Sequence, residues 1–78
     1  MRGVKSTPLP LRFGACVREL RAEAGYTQEE FAERCGFFRT YLSRIETGRA
    51  NPTLNAIEVM AIALDISVSK LLQQAEMR

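Results

Sequence analysis

Apolar positions along the chain fall into five short groups at helical spacing, separated by glycine, proline and hydroxyl residues. In the first, Phe13, Val17, Leu20 and Ala24 form one stripe with Arg12, Arg18, Glu19 and Glu23 outside it, which predicts a helix roughly from Pro10 to Ala24 stopped by Gly25. Thr27 followed three residues later by Glu30 has the form of a capping box, so a second helix should start there. Phe31, Ala32 and Cys35 give that helix its inner face, and Gly36 can end it in the left-handed conformation. A third helix is predicted from about Arg39. Taking about 100° per residue, Leu42 and Ile45 share its inner face, with Phe38 in line just before it and Tyr41 at the edge. Its opposite arc carries Thr40, Ser43, Arg44 and Thr47, with Arg39 on the flank.

Residues 48 to 52 read as a loop, and Thr53 can cap a fourth helix to about Leu64 with Leu54, Ile57, Met60, Ala61 and Leu64 as its core stripe. A second stripe, Asn55, Val59, Ile62 and Ile66, recurs at intervals of four, three and four about 100° away from the first. A helix apolar on two faces is buried on both or awaits a partner. Ser67 should cap a last helix carrying Leu71, Leu72 and Ala75, whose polar end from Gln73 to Arg78 is expected to fray. Ahead of all this, residues 1–9 hold Pro8 without helical periodicity and read as a flexible tail, leaving 10–78 as a single domain. With Arg2 and Lys5, the tail is either a DNA-touching arm or a disordered start.

Composition narrows the chemistry. Seventy-eight residues with 46% apolar and 26% charged side chains suit one small folded unit, for which a partner subunit would add burial. No apolar run is long enough to span a bilayer and the start lacks a signal-peptide core, so a cytoplasmic location is expected. The chain has no histidine, and Cys16 and Cys35 lack metal-knuckle or redox spacing, so neither metal nor cofactor is expected. Both cysteines read as small hydrophobes. Without histidine, and with no carboxylate pair beside a nucleophile and no phosphate-cradling glycine loop, no enzymatic activity is expected. The net charge of +2 says less than its distribution. Arg34, Arg39, Arg44 and Arg49 cluster in the middle of the chain, after the acidic Glu29, Glu30 and Glu33.

A short helix with an oily back and an Arg/Ser/Thr front is what reading the major groove requires. The run TQEEFAERCG, then RTYLSRIETGRANPT, then a Leu/Ile-rich helix, resembles the Cro/repressor (XRE-type) helix-turn-helix family from about Phe13 to Leu72. Gln28, Ala32, Gly36, Ile45, Glu46, Gly48, Pro52 and Thr53 carry the resemblance. The triplet Arg39, Thr40, Tyr41 and the small size are similar to controller proteins of restriction–modification systems. This implies an all-α, five-helix fold and a homodimer on double-stranded DNA at a pseudo-palindromic operator, without membrane or metal. The resemblance also implies that Arg21 pairs with Glu46.

In that frame Arg39, Thr40, Tyr41 and Arg44 are the base-reading candidates, and Gln28, Ser43, Thr47, Arg49 and Asn51 the backbone-holding ones. Tyr41 fits either group. Tyr26 should pack under the first helix corner, Phe37 should be core, and the acidic trio should face away from DNA. Phe38 departs from the family, which usually places a capping residue there. It either packs back onto helix 2 or touches a thymine methyl. Family members commonly carry charges where Val59 and Ile62 stand, so Asn55, Val59, Ile62 and Ile66 are assigned to the dimer interface. The alternative is an antitoxin-like or other protein-interaction subunit that uses the same face.

Overall fold

Residues 7–78 are described by the computed structural model. They form α1 (Leu9–Glu23), α2 (Gln28–Cys35), α3 (Arg39–Glu46), α4 (Leu54–Ala63) and α5 (Val68–Glu76). Each boundary has a local cause. Thr27 Oγ1 accepts from the backbone N–H of Glu30 at 3.1 Å while the Glu30 carboxylate accepts from Thr27 N–H at 2.8 Å, completing the capping box. Thr53 and Ser67 do the same one-sided work for α4 and α5, accepting from Ala56 and Lys70 N–H at 3.0 Å each. Gly36 sits at φ 74°, and behind it Phe37 N–H donates to the Ala32 carbonyl at 2.8 Å, which turns the chain sharply toward α3.

The core gathers Phe13, Cys16, Val17, Phe31, Ala32, Leu42, Ile45, Ile57, Met60, Ala61, Leu71 and Ala75. α1 lies against α3 and α5, α2 against α3 and α4, and α4 against α5, so α3 is supported from two sides. α1 and α3 approach closely at Gly14. A Cβ there would run into the carbonyl oxygens of Ile45 and Glu46, so the main chains of α1 and α3 meet without a side chain between them. Among the described residues, no helix is long and apolar enough to cross a membrane.

Several expectations are corrected. α1 starts at Leu9 and ends at Glu23, one residue earlier at each end than periodicity predicts, because Pro8 takes the N-cap place and its carbonyl accepts from Leu11 and Arg12. Residues 7 and 8 thus lead into the helix, Leu9 is its first residue, and the rest of the expected tail, with Arg2 and Lys5, lies outside the described residues. Ala24 is exposed at the C-cap, beyond the supporting helices. Leu54, placed on the core stripe of α4, is 80% exposed, since the first helical residue projects past the elements that cover Ile57 and Met60. Phe38 is 85% exposed and packs neither into the inner face of α3 nor onto α2. The C-terminal turn is tied down, not frayed: Ala75 is buried, Arg12 Nη1 donates to the Glu76 carbonyl at 3.2 Å, and Arg78 Nη1 meets Glu19 Oε1 at 2.8 Å.

Candidate nucleic-acid interface

α3 is amphipathic in the sense its sequence requires. Leu42 and Ile45 are buried, while Arg39, Thr40, Arg44 and Thr47 are exposed and Ser43 is half-buried. Among the described residues the Arg44 guanidinium and the Thr40 hydroxyl make no hydrogen bond, so their donors point to solvent. Tyr41 is half-buried, its ring edge-on to Phe37 with centroids 5.1 Å apart and planes at 82°. Tyr41 thus shares its ring with the Phe37 contact, and Phe37 packs against the core as expected.

The inner end of α3 is anchored electrostatically. Glu46 is buried, and its carboxylate accepts from Arg21 Nε at 2.7 Å and from Arg21 Nη2 at 3.1 Å, a bidentate pair with side chains 2% and 12% exposed respectively. Arg21 Nη1 also donates to the Tyr26 carbonyl at 2.8 Å, fixing the corner between α1 and α2. Tyr26 itself packs there against Phe31, with the Arg34 guanidinium over the Tyr26 ring at 5.4 Å from its centroid.

Gln28 links this anchor to the exposed face. Its Nε2 donates to Glu46 Oε1 at 3.0 Å and its Oε1 accepts from Arg39 Nη1 at 3.2 Å. One amide N–H of Gln28 is then left for another acceptor, and Arg39 keeps the remaining donors of its fork. Thr47 Oγ1 donates to the Ser43 carbonyl at 2.9 Å, so a phosphate would have to compete for that proton. Arg49 and Asn51 are exposed in the loop after α3.

Charge is less cleanly separated than the sequence suggests. Glu29, Glu30 and Glu33 are exposed, yet together with Thr27, Phe37 and Arg39 they line one surface concavity, so the acidic side of α2 borders the first arginine of α3. The Phe38 carbonyl accepts from Tyr41 and Leu42 N–H, but no side chain caps α3, a loss of about 0.5–2 kcal/mol relative to Ser or Asp.

On the second apolar stripe, Asn55 is exposed, Ile62 is 70% exposed and Val59 is half-buried. Val59 and Ile62 line a concavity with Arg34 and Ala63. Ile66 is half-buried like Val59 and packs partly against the core. Both thiols are free. Burial raises that of Cys16 and pushes that of Cys35 up to about 11, against the smaller opposing effect of Arg34 on Cys35. One positioning residue escapes the sequence reading: Gly14, whose signal is a glycine inside an otherwise regular helical pattern.

Comparison with known proteins places this geometry. A family model described as a helix-turn-helix domain matches residues 12–72. A hypothetical transcription factor of Neisseria meningitidis serogroup B is 45% identical over 56 residues, 72% of this chain, and the chain spans only 53% of that relative's length. The crystal structure of the restriction-modification controller protein C.AhdI from Aeromonas hydrophila is similar at a TM-score of 0.77 and 39% identity, covering 80% of this chain and 94% of that one. The controller C.Esp1396I, solved as a tetramer in complex with its natural 35 base-pair operator, is similar at a TM-score of 0.78 and 26% identity, covering 94% of this chain and all (100%) of that one.

Proposed function

From the premise that this chain belongs to the helix-turn-helix domain family, we propose that it is a sequence-specific DNA-binding transcriptional regulator of the controller or phage-repressor kind. The observation that carries the reading is the build of α3: Arg39, Thr40 and Arg44 exposed on one side, Leu42 and Ile45 buried on the other, and the buried Arg21–Glu46 pair at its end. A helix so held can enter the major groove, where Arg39 and Arg44 each donate to guanine and Thr40 meets a base edge. Ser43, Thr47, Arg49, Asn51 and the spare N–H of Gln28 hold phosphates and set the register. Tyr41, half-buried against Phe37, contributes through the part of its side chain left exposed.

The active species is a homodimer joined through Val59 and Ile62, with Asn55 and Ile66 at the margin. Two-fold symmetry then demands a pseudo-palindromic operator with half-sites about 34–36 Å apart, or a multiple of that spacing. Likeness to two restriction–modification controllers, one of them solved on its operator, supports this reading over a lone DNA-binding monomer. Regulation is by occupancy: the bound dimer blocks or assists polymerase, with no catalysis, metal or cofactor involved.

Footprinting of the full chain over a genomic fragment library at physiological salt tests the proposal. Protection of a discrete two-fold-related site is expected, and uniform salt-sensitive binding with no protected site would overturn it. The exposure of Ile62 favours one rival, an interaction subunit that uses this face for a different protein. In that case the purified chain alone would sediment as a monomer.

A further inference from the structure

We infer that Phe38 is a specificity-determining residue that reads the 5-methyl group of a thymine beside the guanine contacted by Arg39; this rests on the DNA-binding reading above. Two local costs coincide at this residue. An 85% exposed phenylalanine leaves its ring in water, and the same residue deprives α3 of a side-chain cap. Nothing among the described residues offsets either cost, since the ring joins neither the core nor the Phe37–Tyr41 pair.

Position supplies what the free protein lacks. Phe38 stands at the N-cap of α3 with extended backbone (φ −69°, ψ 143°), directly before the exposed Arg39 and Thr40. The N-terminal residues of a recognition helix are those that meet base edges. The base edges of the major groove otherwise offer hydrogen-bond donors and acceptors. The thymine methyl is their apolar group, and phenylalanine is among the side chains that contact it. A capping Ser or Asp would stabilise the helix but could not make that apolar contact. The acidic concavity beside Arg39 is no rival seat for the ring, because its apolar wall is Phe37 and Ala32, already packed against the core.

The test uses the full chain and a duplex selected by it from a randomised library, with each thymine replaced in turn by deoxyuridine, which lacks the methyl group. Affinity is read by fluorescence anisotropy at fixed salt. The wild type should bind about three- to fivefold more weakly when one particular thymine per half-site is replaced, the effect of one lost methyl contact. Phe38→Ala and Phe38→Ser should bind the thymine and deoxyuridine duplexes alike. Phe38→Ser also restores a cap, so an indifferent but better-folded protein excludes a stability artefact. A wild type insensitive at every thymine, or variants that keep the same sensitivity, overturns the assignment while leaving DNA recognition intact. Failure to select any sequence overturns the DNA-binding reading and this assignment with it.

Discussion

Arg39, the first residue of α3, donates through Nη1 to Oε1 of Gln28, the first residue of α2, at 3.2 Å. Because Gln28 in turn donates to the buried Glu46, an exposed arginine of α3 is coupled through one amide to the interior ion pair. Gln28 thus orients the arginine, in addition to the phosphate contact proposed for it.

Arg39→Ala should relax preference at one guanine per half-site by about 1–3 kcal/mol, measured on selected duplexes carrying single base changes. Gln28→Ala should give a smaller loss at that same guanine together with a general loss of affinity. A purely uniform loss would show that Gln28 acts on phosphate alone.

Glu46→Ala should destabilise the domain by up to about 3–5 kcal/mol, because Arg21, its side chain only 12% exposed, is left without its counter-charge. Joint replacement of Arg21 and Glu46 by Met and Leu should cost much less than the single change. Urea unfolding midpoints of the three proteins decide it, and equal losses would show that packing, not charge, holds this corner.

At Gly14, helix propensity and packing oppose each other. Alanine is favoured over glycine by about 0.8–1.0 kcal/mol inside a helix, yet its Cβ would press on the carbonyls of Ile45 and Glu46 and force α1 away from α3. Gly14→Ala should therefore lower the melting temperature, with a net cost of about 1–3 kcal/mol. It should also weaken DNA binding, since α3 shifts with its support.

Replacing the 70% exposed Ile62 by Glu should leave helix content and thermal stability of the dilute protein nearly unchanged while reducing its mass in sedimentation from dimer to monomer. DNA affinity should fall with it, because two linked half-site contacts become one. A monomeric wild type would point to the rival use of this face.

The Cys35 thiol gives a signed pH effect. Burial raises its folded value from 9.0 to about 11, so with rising pH the unfolded chain loses this proton first. The stability it contributes is present below about pH 9 and is lost as the pH climbs through the folded value. Cys35→Ala should flatten that part of the decline in urea midpoints between pH 8 and pH 11, and an unchanged slope would assign the decline elsewhere.

How legible these features are in the letters depends on how far apart the interacting residues lie. Caps are local, and Thr27 with Glu30, Gly36, Thr53 and Ser67 place α2, α4 and α5 to within a residue or so at their starts. The faces of α3 follow equally from spacing. The Arg21–Glu46 pair follows from family resemblance and not from spacing, because 25 residues separate the partners. Leu54 shows where periodicity misleads: it has the right phase, but no neighbouring helix extends far enough to cover it. The pinned C-terminus is hidden for a related reason, since a polar ending looks loose until Arg12 and Glu19 arrive from α1. Gly14 matters through α3 carbonyls more than 30 positions away in the chain, a relation that only the crossing of two helices creates.

The shared carboxylate of Glu46 gathers groups from α1 and α2 while belonging to α3. Three rods joined at one node form a truss. α3 is thereby held in one attitude by α1 and α2, so docking on a duplex as proposed would surrender little main-chain entropy. On the DNA-binding reading proposed above, what must be frozen is confined to the long guanidinium stems, and any misfit in half-site spacing would be taken up by bending of the nucleic acid.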